Sequence, residues 1–294
     1  MAKSFEDRDG WIWMNGNFIP WKNATSHIVS QGLHYASAVF EGERAYNGKI
    51  FKSEEHTKRF FKSAEIIGMK IPYSEDELNS AKKELIKKMN YKDCYVRPLA
   101  WRGGEQMGIS TTQSNINVAI AVWDDWASYF KIEDRKAGLK LITSPWKRPA
   151  PDTAPYEAKA SGPYIICTMS KEFAESKGYH DALMLDYRGY VAEGTGANIF
   201  FIKDNDIHTP IPDCFLNGIT RQAVIKMATE QGFKITVRHI LPDEIKNYDE
   251  AFLTGTAAEI TPIRSIDSVN YTTGDNTTTF KFMSDFSELV NNST

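Results

Sequence analysis

Tight turns between short apolar runs constrain this chain most. Residues 11–19 carry Asn15-Gly16 at their centre. Asn-Gly between two strand-like runs signals a hairpin, because both turn positions need positive φ. Asn47-Gly48 and Arg188-Gly189 mark further turns. Helical patterns lie between them. Ser53 is expected to cap a helix through about Ile67, with Glu54-Glu55 in its first turn and Phe60, Ala64 and Ile67 on one face. Ser74 starts another helix to about Met89, and further helices are expected over 164–177, 218–231 and 280–290. Strands are expected over 93–101, 118–122, 139–142, 182–185, 198–202 and 250–254. Hairpins mixed with helices in both halves predict an α+β, mixed α/β chain rather than a doubly wound parallel sheet. Residues 126–138 are aromatic at one end and charged at the other, with little periodicity. The expected division is therefore a smaller α/β domain over 1–127, a linker over 128–138, and a larger α/β domain over 139–294 that carries Lys159.

Composition removes several function classes. A net charge of -3 over 294 residues leaves no basic footprint for nucleic acid. No apolar run approaches the ~20 residues that span a bilayer. The first eleven residues are polar and acidic, and read as neither a signal nor a transit peptide. Cys94, Cys167 and Cys214 show no C-x-x-C spacing. They predict no disulfide framework and no metal site, and a reducing, cytoplasmic setting. No G-x-G-x-x-G follows a strand, so a nicotinamide dinucleotide fold is unsupported.

The chemistry centres on Ala158-Lys159-Ala160-Ser161-Gly162-Pro163-Tyr164, reached through a proline-rich loop over 145–155. Small neighbours leave room for a flat group beside the amine and strip water from it. A desolvated lysine has a lowered pKa and becomes a nucleophile. Standing alone, such a lysine reads as an ordinary surface residue; three later stretches change that. Glu193-Gly194-Thr195-Gly196 places an acid beside two glycines, where a carboxylate can approach a ligand closely. Leu216-Asn217-Gly218-Ile219-Thr220-Arg221 opens a helix with backbone N–H groups and a hydroxyl suited to phosphate, or is simply a helix capped by Asn217. Thr254-Gly255-Thr256-Ala257-Ala258-Glu259 offers a second set of N–H donors, or a close-packed turn. Together they fit a flat aromatic aldehyde with a phosphate and a ring nitrogen, which is pyridoxal 5′-phosphate. In the first half, Gly42 interrupts a strand and predicts a bulge or a close backbone approach.

With Leu33-His34-Tyr35, Val39-Phe40-Glu41-Gly42, Tyr95-Val96-Arg97-Pro98-Leu99, Glu193-Gly194, Gly218-Ile219-Thr220-Arg221 and the 255–262 stretch added to Lys159-Ala160, the chain resembles the branched-chain amino acid aminotransferases. These belong to the fold type IV pyridoxal phosphate enzymes, with a two-domain architecture like that of D-amino acid aminotransferase. The resemblance runs from Trp11 through Ile263. It implies that Lys159 is the Schiff-base lysine and moves a proton between substrate Cα and cofactor C4′. It matches Glu193 to the ring nitrogen, and Arg59, Gly218, Ile219, Thr220 and Thr256 to the phosphate. Tyr164 matches the ring hydroxyl's partner, and Leu216 the residue under the ring. On the substrate side it implies that Tyr95, Thr256 and Ala257 hold the α-carboxylate and that Phe40, Tyr35, Trp126 and Tyr129 wall the aliphatic pocket. Arg97, with Tyr35 and Tyr129, is expected to serve glutamate's distal carboxylate. The implied substrates are branched-chain L-amino acids and 2-oxoglutarate or L-glutamate. Met107-Gly108-Ile109 resembles a loop that reaches a neighbouring subunit, so a homodimer or higher assembly is expected. The chain departs from the family's pattern at Pro163, Ala197, Asn217 and Glu43; Glu43 is expected to add charge at the pocket rim beside Arg44. The alternatives are a D-amino acid or (R)-amine transaminase, an aminodeoxychorismate lyase, and a non-catalytic vitamin B6-binding protein.

Overall fold

Residues 4–124 and 132–292 are described in the structure, a computed structural model. They form two units. The first takes 4–124 together with Ala158–Gly162, and the second takes 132–157 with Pro163–Asn292.

The first unit is a seven-stranded antiparallel sheet packed against helices Ser53–Ile66 and Glu75–Met89. Its leading hairpin pairs Trp11–Met14 with Asn17–Pro20 and turns at Asn15 and Gly16, both at positive φ. Ser74 caps its helix with a capping box closed by Glu77. Ser53 does not cap. It is the first helical residue, the left-handed Lys52 precedes it, and its hydroxyl donates to Asn79 instead. Ile67 lies just past the helix end.

Strand Cys94–Arg102 is central. It pairs with Ile116–Trp123 on one side and with Ala38–Phe40 and Glu43–Tyr46 on the other. Alternation buries Cys94, Val96 and Ala100 and leaves Tyr95, Arg97 and Leu99 half-buried on the opposite face. Residues paired across an antiparallel ladder share a face, so Arg44 goes with Tyr95 and Glu43 with Val96. This corrects the expectation for Glu43. Its carboxylate points into the core, where it takes the Lys82 ammonium at 2.9 and 3.0 Å. The two side chains are 0% and 1% exposed, so Glu43 is not on any rim. Gly42 lies between the two short strands, and a Cβ there would overlap Tyr95 Oη, which is the expected close approach.

The second unit is a nine-stranded sheet with both parallel and antiparallel pairs. Six strands close into a barrel, in the order Val191–Glu193, Asp181–Asp186, Leu139–Arg148, Glu259–Ile266, Glu250–Gly255 and Asn198–Lys203. The closing pair is Glu193 with Asn198. Strands Val191–Glu193, Asp206–Pro210, Lys234–Arg238 and Glu259–Ile266 are additions to the sequence reading. The strand expected over 139–142 runs on to Arg148 and passes through Pro145 at a register shift between Thr143 and Lys147. An irregular ladder tolerates a residue with no N–H to give, which is how this proline stays in a strand. Three helices match expectation closely, at Tyr164–Ser176, Ile219–Glu230 and Thr278–Asn292. Of the expected linker, Ile132–Ala137 is helical, and 125–131 lie outside the described residues. Among the described residues no helix is long and apolar enough to cross a membrane. The three thiols are buried, and burial pushes Cys94 and Cys214 up to about 12.

Candidate active site

In the first unit Lys159 lies on a short stretch laid along Val39. Ala160 forms a bridge with Val39, Phe40 N–H donates to the Lys159 carbonyl at 3.0 Å, and Ser161 N–H donates to Ala38 at 2.9 Å. Lys159 N–H donates to Ser63 Oγ at 2.9 Å. Ala158 and Ala160, both buried, permit this close packing. These contacts are why Lys159 packs with the first unit although its sequence neighbours 132–157 belong to the second.

Lys159 Nζ lies 4.9 Å from the centroid of Phe40. Burial pulls its pKa down most, Arg59 adds to the fall, and Glu41 opposes it; the result is about 8. An appreciable share is then unprotonated amine near neutral pH, as a nucleophile requires. Phe40 also lies beside Arg97, whose Cζ is 4.8 Å from that ring and 5.2 Å from the ring of Tyr95. Arg97 Nη2 donates to Tyr95 Oη at 3.1 Å. A planar cation folded on two rings can offer its fork to an anion or leave apolar walls to an aliphatic group. Arg59 forms a bidentate pair with Glu41, Nε to Oε1 at 2.6 Å and Nη2 to Oε2 at 2.8 Å. Burial alone would raise the Glu41 carboxyl, but Arg59 and then His56 outweigh it and hold it well below the usual range. Tyr35 is 48% exposed, and its ring centroid lies 6.4 Å from that of His34. Trp126 and Tyr129 lie outside the described residues.

In the second unit Glu193 is buried at the barrel's closing pair. Its Oε1 lies 3.4 Å from Arg148 Nε, and its Oε2 accepts from Asn198 Nδ2 at 3.2 Å. Asn198 ties three expected site residues together. Its Nδ2 also donates to the Leu216 carbonyl at 3.0 Å, and its Oδ1 accepts from Gly218 N–H at 3.1 Å. A Cβ at Gly218 would overlap that oxygen. The helix after Gly218 has no side-chain cap, so Asn217 is not its cap; Asn217 Oδ1 instead accepts from Arg221 at 2.8 Å. The first-turn N–H groups of Ile219 and Thr220 therefore lie at a helix start suited to an anion. Asn198 pairs with Thr254, which brings the 194–197 turn beside Gly255 and the hairpin turn of Thr256 and Ala257. Tyr164 opens its helix near enough to Arg148 to interact with its charge.

Three contributors went unread in the sequence. Glu41 holds Arg59, Arg148 faces Glu193, and Asn198 joins Glu193, Leu216 and Gly218. Each is defined by a pairing across the sheet or onto a helix, so no local pattern marks it.

A family model of class IV amino-transferases matches residues 38–266. The chain is 43% identical over 270 residues to a probable branched-chain-amino-acid aminotransferase of Rickettsia bellii, covering 92% of each chain. It is 44% identical over 268 residues to the branched-chain-amino-acid aminotransferase of Pseudomonas aeruginosa, covering 90% of this chain and 87% of that one. The solved branched-chain amino acid aminotransferase of T.th., complexed with N-(5′-phosphopyridoxyl)-L-glutamate, matches at a TM-score of 0.91 and 38% identity over 98% of this chain and 96% of that one. These matches take in both units, and by them the chain belongs to the class IV aminotransferases, among the branched-chain amino acid aminotransferases.

Proposed function

We propose that this chain moves an amino group reversibly between L-leucine, L-isoleucine or L-valine and 2-oxoglutarate, with Lys159 as the catalytic residue. Its cofactor is pyridoxal 5′-phosphate. The residues present fit that group. Lys159, Arg59 and Arg97 are three cations grouped closely enough to alter the lysine's pKa, with Glu41 and Tyr95 acting in the opposite direction. That surplus of positive charge suits an anionic ligand. The second unit, taken by itself, holds a buried carboxylate between Arg148 and Asn198, and an uncapped helix start. Bound pyridoxal phosphate supplies an electron sink that acidifies the substrate Cα–H.

The chain's residues do the rest. Lys159, its pKa near 8, takes the proton at Cα and holds it for return. Glu193 serves the ring nitrogen. Arg59, Gly218, Ile219, Thr220 and Thr256 serve the phosphate, Tyr164 the ring hydroxyl, and Leu216 the ring face. Tyr95, Thr256 and Ala257 take the α-carboxylate. Phe40, Tyr35, Trp126 and Tyr129 wall the aliphatic side chain, and Arg97 takes glutamate's second carboxylate. The glutamate adduct in the T.th. enzyme supports glutamate as a partner. We read residues 1–127 and 139–294 as the two domains, joined by 128–138, and the enzyme as a cytoplasmic homodimer or larger assembly. Exposed Leu33, Tyr35, Met107 and Ile109 in the first unit support the assembly, and three buried thiols support the compartment.

The observation that carries this reading is a desolvated Lys159 against Phe40, on the same unit as the Tyr95–Arg97 pair. The test adds L-leucine, D-alanine and a chiral arylamine separately to purified protein without an acceptor and follows visible absorbance. The cofactor band is expected to fall with L-leucine alone and to return with 2-oxoglutarate. A response only to D-alanine or the arylamine would move the chain to another class IV activity. In the same assay Arg97→Ala is expected to slow the L-glutamate half-reaction about 10- to 100-fold, because a distal carboxylate loses its charged donor. The L-leucine half-reaction should lose far less, and equal losses would refute the dual role.

A further inference from the structure

Glu41 stands out among the buried charges. It lies at the break between Ala38–Phe40 and Glu43–Tyr46, and its side chain is fully buried. Burying a carboxylate is costly unless charge and hydrogen bonds repay it. Here the oxygens take the Arg59 fork at 2.6 and 2.8 Å, His56 Nδ1 at 2.7 Å and Gly42 N–H at 3.2 Å. A bidentate fork fixes the plane of the guanidinium as well as its position. The nearby Glu43–Lys82 pair offers a contrast. Lys82 is 1% exposed, so that pair is internal at both ends, whereas Arg59 keeps 17% of its side chain exposed. Arg59 is thus the partly open end of a pair whose other end is sealed. The backbone around Glu41 reaches the other functional groups too: Phe40 N–H binds the Lys159 carbonyl, and Gly42 packs against Tyr95 Oη.

We propose that Glu41 is a positioning residue: it sets the Arg59 guanidinium for the cofactor phosphate and fixes that cation relative to Lys159 and Tyr95. This rests on the reading of Arg59 as a phosphate ligand. Glu41 itself touches neither cofactor nor substrate in this role.

The test measures binding of pyridoxamine 5′-phosphate and of pyridoxamine to the full-length protein by equilibrium dialysis. Glu41→Gln keeps the shape and removes the charge. It is expected to weaken pyridoxamine 5′-phosphate about tenfold, the loss of one charge-assisted contact, and to leave pyridoxamine unchanged. Arg59→Ala should show the same phosphate-selective loss, and adding Glu41→Gln to it should cost nothing more. If Arg59→Ala leaves phosphate selectivity intact, the reading of Arg59 fails and takes the proposal with it. If Arg59→Ala is selective but Glu41→Gln is neutral, weakens both ligands equally, or adds its full effect on top of Arg59→Ala, the proposal fails and the reading stands. Should Glu41→Gln not fold, Glu41→Asp carries the test, because it keeps the charge but withdraws it by one methylene. The same selective loss supports the proposal, and an unselective or absent one overturns it.

Discussion

Replacing Lys159 with alanine is expected to cut transamination about 10⁴-fold or more while the protein still folds, since proton transfer and nucleophile are lost together. The folding half of this expectation follows from where the segment gets its stability. Phe40 N–H to Lys159 O, Ser161 N–H to Ala38 O and Lys159 N–H to Ser63 Oγ all involve main-chain atoms of this segment, which alanine keeps. The side chain itself is a desolvated cation near Arg59 and Arg97. Its folded pKa of about 8 lies below the ordinary 10.5. Between those values the unfolded chain binds more protons. The group therefore opposes folding below pH 8, and that opposition fades as pH rises toward 10.5. At neutral pH alanine removes the penalty and gives up packing against Phe40, two effects of opposite sign. A steady-state assay with L-leucine and 2-oxoglutarate, run beside a thermal melt, checks both halves. Normal turnover by a well-folded variant would remove Lys159 from the mechanism.

Much of this site is legible from local chemistry. A lysine among alanines and serine announces room and low polarity, and both buried alanines allow Ala160 to pack on Val39. Gly42 announces a close approach, and Tyr95 Oη supplies it. Ser74 and Glu77 announce their own helix start. What stays hidden depends on register and on distant partners. Arg148 lies in a stretch that reads as a proline-rich loop, but an irregular ladder at Pro145 keeps it in a barrel strand and carries it to Glu193. Asn198 looks like the plain start of a strand, and its role appears only once Leu216 and Gly218 fold back beside it. Glu43 and Arg44 differ by one position, and side-chain direction has period two. Only the pairing of Glu43 with Val96 decides which of them enters the core.

That buried acid leads to the largest stability effect expected here. Lys82→Ala should destabilise the protein by about 3–5 kcal/mol, the usual consequence of leaving one buried charge without its partner. Lys82 Nζ gives both oxygens of Glu43 their contacts and also donates to Thr57 Oγ1 at 2.7 Å. Burial pushes the Glu43 carboxyl up, Lys82 opposes that most, and Glu41 adds to the rise. Without Lys82 the carboxylate must take up a proton or draw in water, and either response costs folding free energy. The pair is nonetheless a poor source of net stability, because each charge gave up its hydration to be there. Replacing both ends with apolar residues of similar volume, Glu43→Leu with Lys82→Met, should therefore recover most of the loss. Urea titrations of the two variants beside the parent protein measure this directly. A double variant as unstable as Lys82→Ala would mean that the pair contributes through hydrogen bonds to the Thr57–Asn79 network more than through charge, since that network ties helix Ser53–Ile66 to helix Glu75–Met89 and loses its Lys82 donor in both variants.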